Sequence, residues 1–501
     1  MPTPPRFVIV FVVDGLRPDA ITFDGTPTLA RLRAEGVTFA KSHSVFPTVT
    51  RVNAATLATG AQPGTSGIVG NQMYVPAVDS KRAFGTDDYR HLQALDAATG
   101  GRVLLVPTLA ERLQARGLRL AAVGSGSTGS TFLLDPRAPD GVGVLVNGYF
   151  EPGKTVAYPA DVSATILARF GPAPPKGGLT ERYDAVVTWT QRVLREYVLP
   201  ELRPAVVINW VTEPDHSQHG VGVGSPSARE ALRHADGEIA QVLITLDTLG
   251  LAASTDVFVA SDHGFTTNTG SVDVAGELIA AGLKAAPDST DVVLASSGQA
   301  VALHVQGLQA GRIARLVSFV QSRQWCGVVF TAGGAPGDVH GHVRGTFSLE
   351  LIHLVNAERA PDVVLTFPWS STSNQFGVPG TDHAYVTGGG RLLVSDHGSM
   401  SPWNVRNTLL AWGVDFKKGT TVRTPVGNVD VAPTILALLG IDAGHGVDGR
   451  VLVEALAGGP DEEQMAAETR IHTVEAGAYR AAIQISEVEG RRYMDKSWRI
   501  V

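Results

Sequence analysis

The chain has 501 residues, 44% of them hydrophobic and 18% charged, with a formal net charge of -7. That balance suits a large folded core with room for more than one domain or sizeable insertions. Both signs of charge are dispersed, so there is no basic block for a nucleic-acid groove and no basic amphipathic helix for a membrane surface.

A single cysteine, Cys326, excludes an intramolecular disulfide and cysteine-rich zinc sites, and its neighbours Trp325 and Val328 mark it as a buried structural thiol. No apolar run approaches the roughly 18 residues that span a bilayer. The expected location is cytoplasmic, or periplasmic or secreted if a signal peptide has been removed.

Taken in chain order, Phe7–Val13 reads as a buried first strand that runs directly into Asp14. Pro27–Glu35 reads as a helix, with Thr26 as N-cap and Pro27 at its first position. Thr50–Thr59 reads as a helix whose N-terminal end carries a hydroxyl. That end would present N–H groups and a positive dipole to an anion. Pro107–Arg116 is helical and Ala121–Gly124 a strand, and Gly124-Ser125-Gly126-Ser127 reads as a flexible turn. Residues from about 136 to 179 are rich in Gly and Pro and read as an irregular insertion. The apolar run Val206–Val211 precedes Asp215. Ser227 opens a long helix to about Leu249, with Glu230 completing a capping box and Gly250 as the stop. Val257–Ala260 is a buried strand leading to Asp262 and His263. Residues 267–395 hold strands at Val292–Leu294 and Ala300–Val305, a helix at Ala310–Gln321 and a loop at Gly333–Gly345. They read as an inserted subdomain near the site, between core segments 1–266 and 396–501. Asn428–Leu439 returns to the core as a helix.

Strands alternating with helices predict an α/β fold with a mainly parallel central sheet covered on both faces. In such sheets sites lie beyond the carboxyl ends of the strands. Asp14, Asp215 and Asp262 each follow an apolar run in this way. With His219, His263, His397 and Thr50 they form a set able to hold two metal ions around a hydroxyl. Imidazole and carboxylate suit zinc, and a bound metal makes a weak hydroxyl nucleophile competent. His219 is four residues after Asp215, which a helix places on the same side. His397 follows Leu392-Leu393-Val394 and is preferred to His383 of GTDHAY. His216, His340 and His342 read as non-ligands.

The blocks VVDGLRPD, FPTVTRVNAATLATGAQPGTSGIVGNQMY, EPDHSQHG, VFVASDHGF and DHGSMSPWNVRNTLLAWGVDFKKG occur in this order across most of the chain. Together they resemble the alkaline phosphatase superfamily, and within it the type I phosphodiesterase/nucleotide pyrophosphatase family. The resemblance implies an alkaline-phosphatase-like fold and hydrolysis of phosphodiester bonds with two zinc ions per chain. It implies Thr50 as nucleophile through a covalent phosphothreonine. Asp14, Thr50, Asp262 and His263 would surround one zinc, and Asp215, His219 and His397 the other. It also implies that Asn53 holds a non-bridging phosphoryl oxygen. The expected partner is a small phosphate-ester substrate.

Two departures stand out. Nucleotide-directed relatives carry an aromatic after the nucleophile, where this chain has Arg51, a side chain suited to a further anionic group on the substrate. Ser66-Gly67-Ile68 replaces the usual His-Gly-Ile. The alternatives are a phosphate monoester or phosphonate hydrolase using the same two-metal site, or a phosphate-ester-binding protein with a vestigial site. A sulfatase is disfavoured because FPTVTR lacks the C/S-x-P-x-R pattern.

Overall fold

The computed structural model describes residues 6–307, 310–335, 337–387 and 390–500. Its centre is a nine-stranded sheet of β1 (Phe7–Val13), β2 (Val37–Phe39), β3 (Leu120–Gly124), β4 (Val144–Glu151), β5 (Thr155–Tyr158), β6 (Val206–Val211), β7 (Thr255–Ala260), β8 (Leu409–Gly413) and β9 (Thr420–Val422). The strand order is β9-β2-β8-β7-β1-β6-β3-β4-β5. The run β7-β1-β6-β3-β4 is parallel throughout, and β5 and β8 pair antiparallel at either side of it.

Strand periodicity explains why β1 is apolar at every position. Val8, Val10 and Val12 face one hydrophobic cluster, and Phe7, Ile9, Phe11 and Val13 face the other. Helices Thr50–Thr59, Leu109–Gln114 and Thr128–Leu134 bury residues on the first side. Helices Pro27–Glu35, Ala160–Phe170, Asp184–Val193 and Pro226–Thr248 do so on the second. A sheet covered on both faces cannot tolerate alternating polar residues, so its central strands read as continuous apolar runs.

Residues 267–395 contribute two further sheets. One runs Val292–Ser296, Ala300–Val305, Val363–Thr366, Val329–Thr331, Phe347–Ser348, and its Val301, Leu303 and Phe330 join the cluster that also holds the Thr50–Thr59 helix. The other runs Ser370–Ser373, Pro379–Tyr385, Thr266–Val272, Ser395–Asp396. Its pairing of Thr266 with Asp396 brings the chain back beside the end of β7. A C-terminal antiparallel meander, Ala467–Ala476, Tyr479–Val488 and Arg491–Arg499, is tied to the core by His43 Nε2 with Asp495 Oδ1 at 3.0 Å and by Tyr493 donating to Asp430 Oδ2 at 3.0 Å.

Three sequence readings change. Residues 136–179 are not an irregular insertion: they supply β4, β5 and the helix Ala160–Phe170. Their glycines Gly141, Gly153 and Gly171 sit at positive φ before β4, between β4 and β5, and after the helix, so they punctuate regular structure rather than replace it. The helix predicted over Pro107–Arg116 is Leu109–Gln114, closed by a Thr108–Glu111 capping box. The long helix begins at Pro226, and its cap is Ser225, which accepts from Ala228 N at 3.3 Å, so Ser227 and Glu230 form no capping box. Cys326 is buried, and burial pushes its thiol up to about 12, as a structural thiol requires.

The cap assignment predicts that Ser225→Ala lowers unfolding free energy by about 1 kcal/mol, while Ser227→Ala changes it by less than about 0.5 kcal/mol. Denaturant titration of both variants checks this.

Candidate metal centre

β7, β1 and β6 lie side by side and end together, with Val12 opposite Ala260 and Val13 opposite Val211. The three carboxylates therefore emerge at one edge. The Asp14 N–H donates to Val211 O at 2.9 Å, and the Asp215 N–H donates to Asp14 O at 3.1 Å. The Gly15 N–H donates to Asp262 Oδ1 at 3.1 Å. Gly15 has φ +69°, and a Cβ there would stand 2.9 Å from Gln218 Nε2 and against the Phe265 ring, so this turn requires glycine.

The other ligand candidates arrive on three separate segments. The short helix Asp215–Val221 carries Asp215 and His219 one turn apart. His397 follows the strand Ser395–Asp396. Thr50 opens its helix after extended Val49, with no side-chain cap, and of the first-turn N–H groups that of Arg51 is taken by Asn71 Oδ1. Asp14, Thr50, Asp262, His263 and His397 are all buried.

The side chains converge. Thr50 Oγ1 is 3.3 Å from His263 Nε2. His263 Nε2 is 3.1 Å from Asp262 Oδ2 and 3.6 Å from Asp14 Oδ1. Asp215 Oδ1 is 3.4 Å from His219 Nε2, 3.5 Å from His397 Nε2 and 3.9 Å from His263 Nε2. Asp215 thus lies between the two ligand groups instead of belonging to one: Asp215, His219 and His397 form one potential cation cage, and Asp14, Asp215 and His263 another.

Each imidazole is oriented from behind. Nδ1 of His219 donates to Ser395 O at 3.0 Å, Nδ1 of His263 to Gly264 O at 2.9 Å, and Nδ1 of His397 to Thr48 O at 2.9 Å. Those bonds leave the Nε2 atoms pointing into the centre, the arrangement of metal-ligating histidines. On the carboxylates, Trp210 Nε1 donates to Asp14 Oδ2 at 2.9 Å, while Asp14 Oδ1, Asp215 Oδ1 and Asp262 Oδ2 are buried without a hydrogen-bond partner. Three unpartnered carboxylate oxygens sharing one space with three imidazole nitrogens fit cations better than any protein donor.

The electrostatics agree. Burial pushes the Asp14 carboxyl well above the usual range, with the Asp215 and Asp262 charges adding to it. Burial works against the Asp215 charge too, but His219, His397 and His263 outweigh it and hold its pKa below the usual range. Burial would lower His219, yet Asp215 and Asp396 raise it to about 9. His397 is held well below its ordinary value by burial and by His263, whose ring it stacks on at 3.5 Å between centroids.

Asn53 does not take the role implied for it. It is fully buried, its Oδ1 accepts from Val45 N at 3.1 Å and Asn428 Nδ2 at 3.0 Å, and its Nδ2 donates to Val49 O at 3.1 Å. All its valences are engaged within the fold, so it has none for a substrate. Asn71 was missed. It lies in the same conspicuous block as Thr50, and its Oδ1 accepts from the Arg51 N–H at 3.3 Å, directly beside the helix start. Its position after Gly67-Ile68-Val69-Gly70, at the end of the motif, was the available signal. His383 lies on Pro379–Tyr385, and His216 stacks on Tyr183 at 3.6 Å, so neither joins the cage.

A mostly parallel α/β sheet with this convergence at its carboxyl edge defines a candidate metal centre of the alkaline-phosphatase-like fold. Residues 8–375 match the model of the type I phosphodiesterase / nucleotide pyrophosphatase family, and the chain belongs to that family, whose members are metal-dependent hydrolases of phosphoric esters. Human ectonucleotide pyrophosphatase/phosphodiesterase family member 1 is 26% identical over 270 residues, 52% of this chain and 24% of the human protein. Mouse family member 3 is 23% identical over 268 residues, again 52% of this chain and 25% of that protein. The matched stretch spans about a quarter of these curated relatives. Murine ectonucleotide pyrophosphatase / phosphodiesterase 5 shares the fold, with a TM-score of 0.60 at 17% identity over 90% of this chain and 100% of that one.

Asn53→Ala should lower stability by about 1–3 kcal/mol, because it strands the buried Val45 N–H and Asn428 amide. Asn71→Ala, with a half-exposed side chain, should change stability by less than about 0.5 kcal/mol. Thermal denaturation of the two variants distinguishes structural from site asparagine; equal destabilisation would contradict the assignment.

Proposed function

We propose that the chain hydrolyses phosphodiester bonds with two zinc ions, through a phosphothreonine on Thr50. The observation that supports this most is the convergence of three partnerless carboxylate oxygens and three imidazole Nε2 atoms beside the Thr50 hydroxyl. Asp215, His219 and His397 would hold one ion, and Asp14, Asp262 and His263 the other, with Asp215 close to both. Bound zinc supplies the positive charge that lowers the hydroxyl pKa and neutralises the leaving oxygen.

The protein's own groups do the rest. Thr50 sits at the first position of a ten-residue helix, so its oxygen faces phosphorus with the helix N-terminus behind it. Attack forms the Thr50 Oγ1–P bond and breaks the bond to the leaving alcohol. Water then cleaves the phosphothreonine, and two in-line displacements return the original configuration at phosphorus. The remaining first-turn N–H groups and the Asn71 amide N–H, its Oδ1 accepting from Arg51 N, would meet equatorial oxygen charge. Hydrolysis of a monoester or phosphonate by the same residues is the second reading, favoured by Arg51 in place of an aromatic.

Elemental analysis of chelator-free protein should find close to two zinc per chain, and Thr50→Ala should lower kcat by orders of magnitude while Thr50→Ser retains part of it. Full activity with no transition metal, or unchanged turnover of an aryl phosphodiester by Thr50→Ala, would contradict the reading.

Proton linkage gives a separate test. In the metal-free site His219 holds its proton up to about pH 9. A zinc ion taking its Nε2 must displace that proton, so apparent affinity should fall about tenfold per pH unit as pH drops below this value. Calorimetry at pH 7.5 in buffers of different ionisation enthalpy should show proton release; buffer-independent heats would contradict it.

A further inference from the structure

Two basic side chains flank the proposed centre without a carboxylate partner among the described residues, and neither is used by the chemistry above. Arg51 is the second residue of the Thr50–Thr59 helix, so its side chain leaves the first turn beside Thr50. Its Nε is buried and has no hydrogen-bond partner. Burial lowers its pKa, and the carboxylates of Asp87, Asp14, Asp215 and Asp262 act against that.

Lys176 comes from the loop between helices Ala160–Phe170 and Asp184–Val193. Its Nζ donates to Gly126 O at 3.2 Å and lies 4.3 Å from the centre of the Tyr149 ring. The residue is exposed overall, while the surroundings of its ammonium lower its pKa by desolvation and Asp87 opposes the shift. Gly126 follows β3, and the neighbouring Ser125 Oγ accepts from Thr212 N at 3.0 Å just before the Asp215 helix. Lys176 therefore stands at the same sheet edge as the three carboxylates.

The backbone joins the two cations along one rim. Arg51 N is bonded to Asn71 Oδ1, and Asn71 O accepts from Thr86 N at 2.9 Å. The next residue, Asp87, gives its carbonyl to Gly129 N at 2.8 Å, three residues beyond Gly126. Asp87 acts on both cations, but it is within 4 Å of neither among the described residues. Removing the Arg51 Nε from water without a partner is unfavourable in the free protein, and an anion brought by a ligand relieves it, with the ammonium of the exposed Lys176 beside the same rim.

We propose that Arg51 and Lys176 form a clamp for a second anionic group on the substrate, a carboxylate or a phosphate a few bonds from the reacting phosphorus. The inference rests on the phosphoryl-hydrolase reading and narrows its substrate class. Arg51 offers a planar fork of donors, and Lys176 a point charge steadied by the Tyr149 face. A substrate whose only charge is on the reacting phosphorus makes no use of either.

The test compares wild type, Arg51→Gln, Lys176→Gln and Lys176→Arg on three substrates: bis(4-nitrophenyl) phosphate with one anion, phosphonoacetate with a second carboxylate, and adenosine 5′-diphosphate with a second phosphate. The ratio of kcat/KM for a two-anion substrate over the aryl diester should fall about 10- to 100-fold in each Gln variant, and Lys176→Arg should restore most of it. Phosphonoacetate or adenosine diphosphate leading the wild-type preferences tells which anion the clamp takes. Calorimetry of methylenediphosphonate on the same zinc-loaded proteins should show Kd raised by about the same factor. Equal losses on all three substrates with unchanged methylenediphosphonate affinity overturn the clamp and leave the hydrolase standing. A wild type that hydrolyses none of the three refutes the hydrolase, and the binding arm then decides the clamp alone.

Discussion

Three aspartates cannot keep their charge in one buried space unless positive charge shares it. Asp14, Asp215 and Asp262 converge because β1, β6 and β7 end together, and the fold supplies too few donors to satisfy them. The imidazoles offer only partial relief, since His263 and His397 are stacked and cannot both carry a proton comfortably. Much of the surrounding structure acts to hold this unfavourable arrangement in place: Trp210 on Asp14, the Gly15 N–H on Asp262, and backbone carbonyls behind every ring. A site maintained at such electrostatic expense makes physical sense as one built for divalent cations.

The same constraint explains the long excursion between Thr266 and Ser395. His397 must reach a centre otherwise built from β1, β6 and β7. It does so because Ser395–Asp396 pairs with Thr266–Val272 immediately after the Asp262-His263 step. Asn428 works from the other side, donating to Asn53 Oδ1 at 3.0 Å and to Asp262 O at 3.2 Å. The buried amide of Asn53 thus links the hydroxyl-bearing helix to the carboxylate loop, a structural role.

Much of this was legible in the sequence where the signal is local. An apolar run followed by an aspartate marks a buried parallel strand and its carboxyl end, so Asp14, Asp215 and Asp262 could be found one strand at a time. His397 was found for a reason the structure does not support: Leu392 and Val394 before it are exposed and form no strand, and the motif after it carried the signal. Asn53 was misread because spacing on one helix cannot show that a side chain points into the fold. Asn71 lies in a loop beside the start of the Thr50–Thr59 helix, a placement no periodicity records. The C-terminal meander was invisible because Ala467–Ala476 is mostly exposed and polar, and the Gly-rich stretch before it in the chain was misread because turn residues obscured the short strands between them.

The most direct measurement of the central claim is anomalous diffraction at the zinc edge from crystals grown without chelator. Two peaks should appear, one among Asp215, His219 and His397 and one among Asp14, Asp262 and His263 beside the Thr50 oxygen, roughly 4 Å apart as two-metal hydrolytic centres require. A single peak elsewhere, or none within this cluster in zinc-replete protein, would contradict the account.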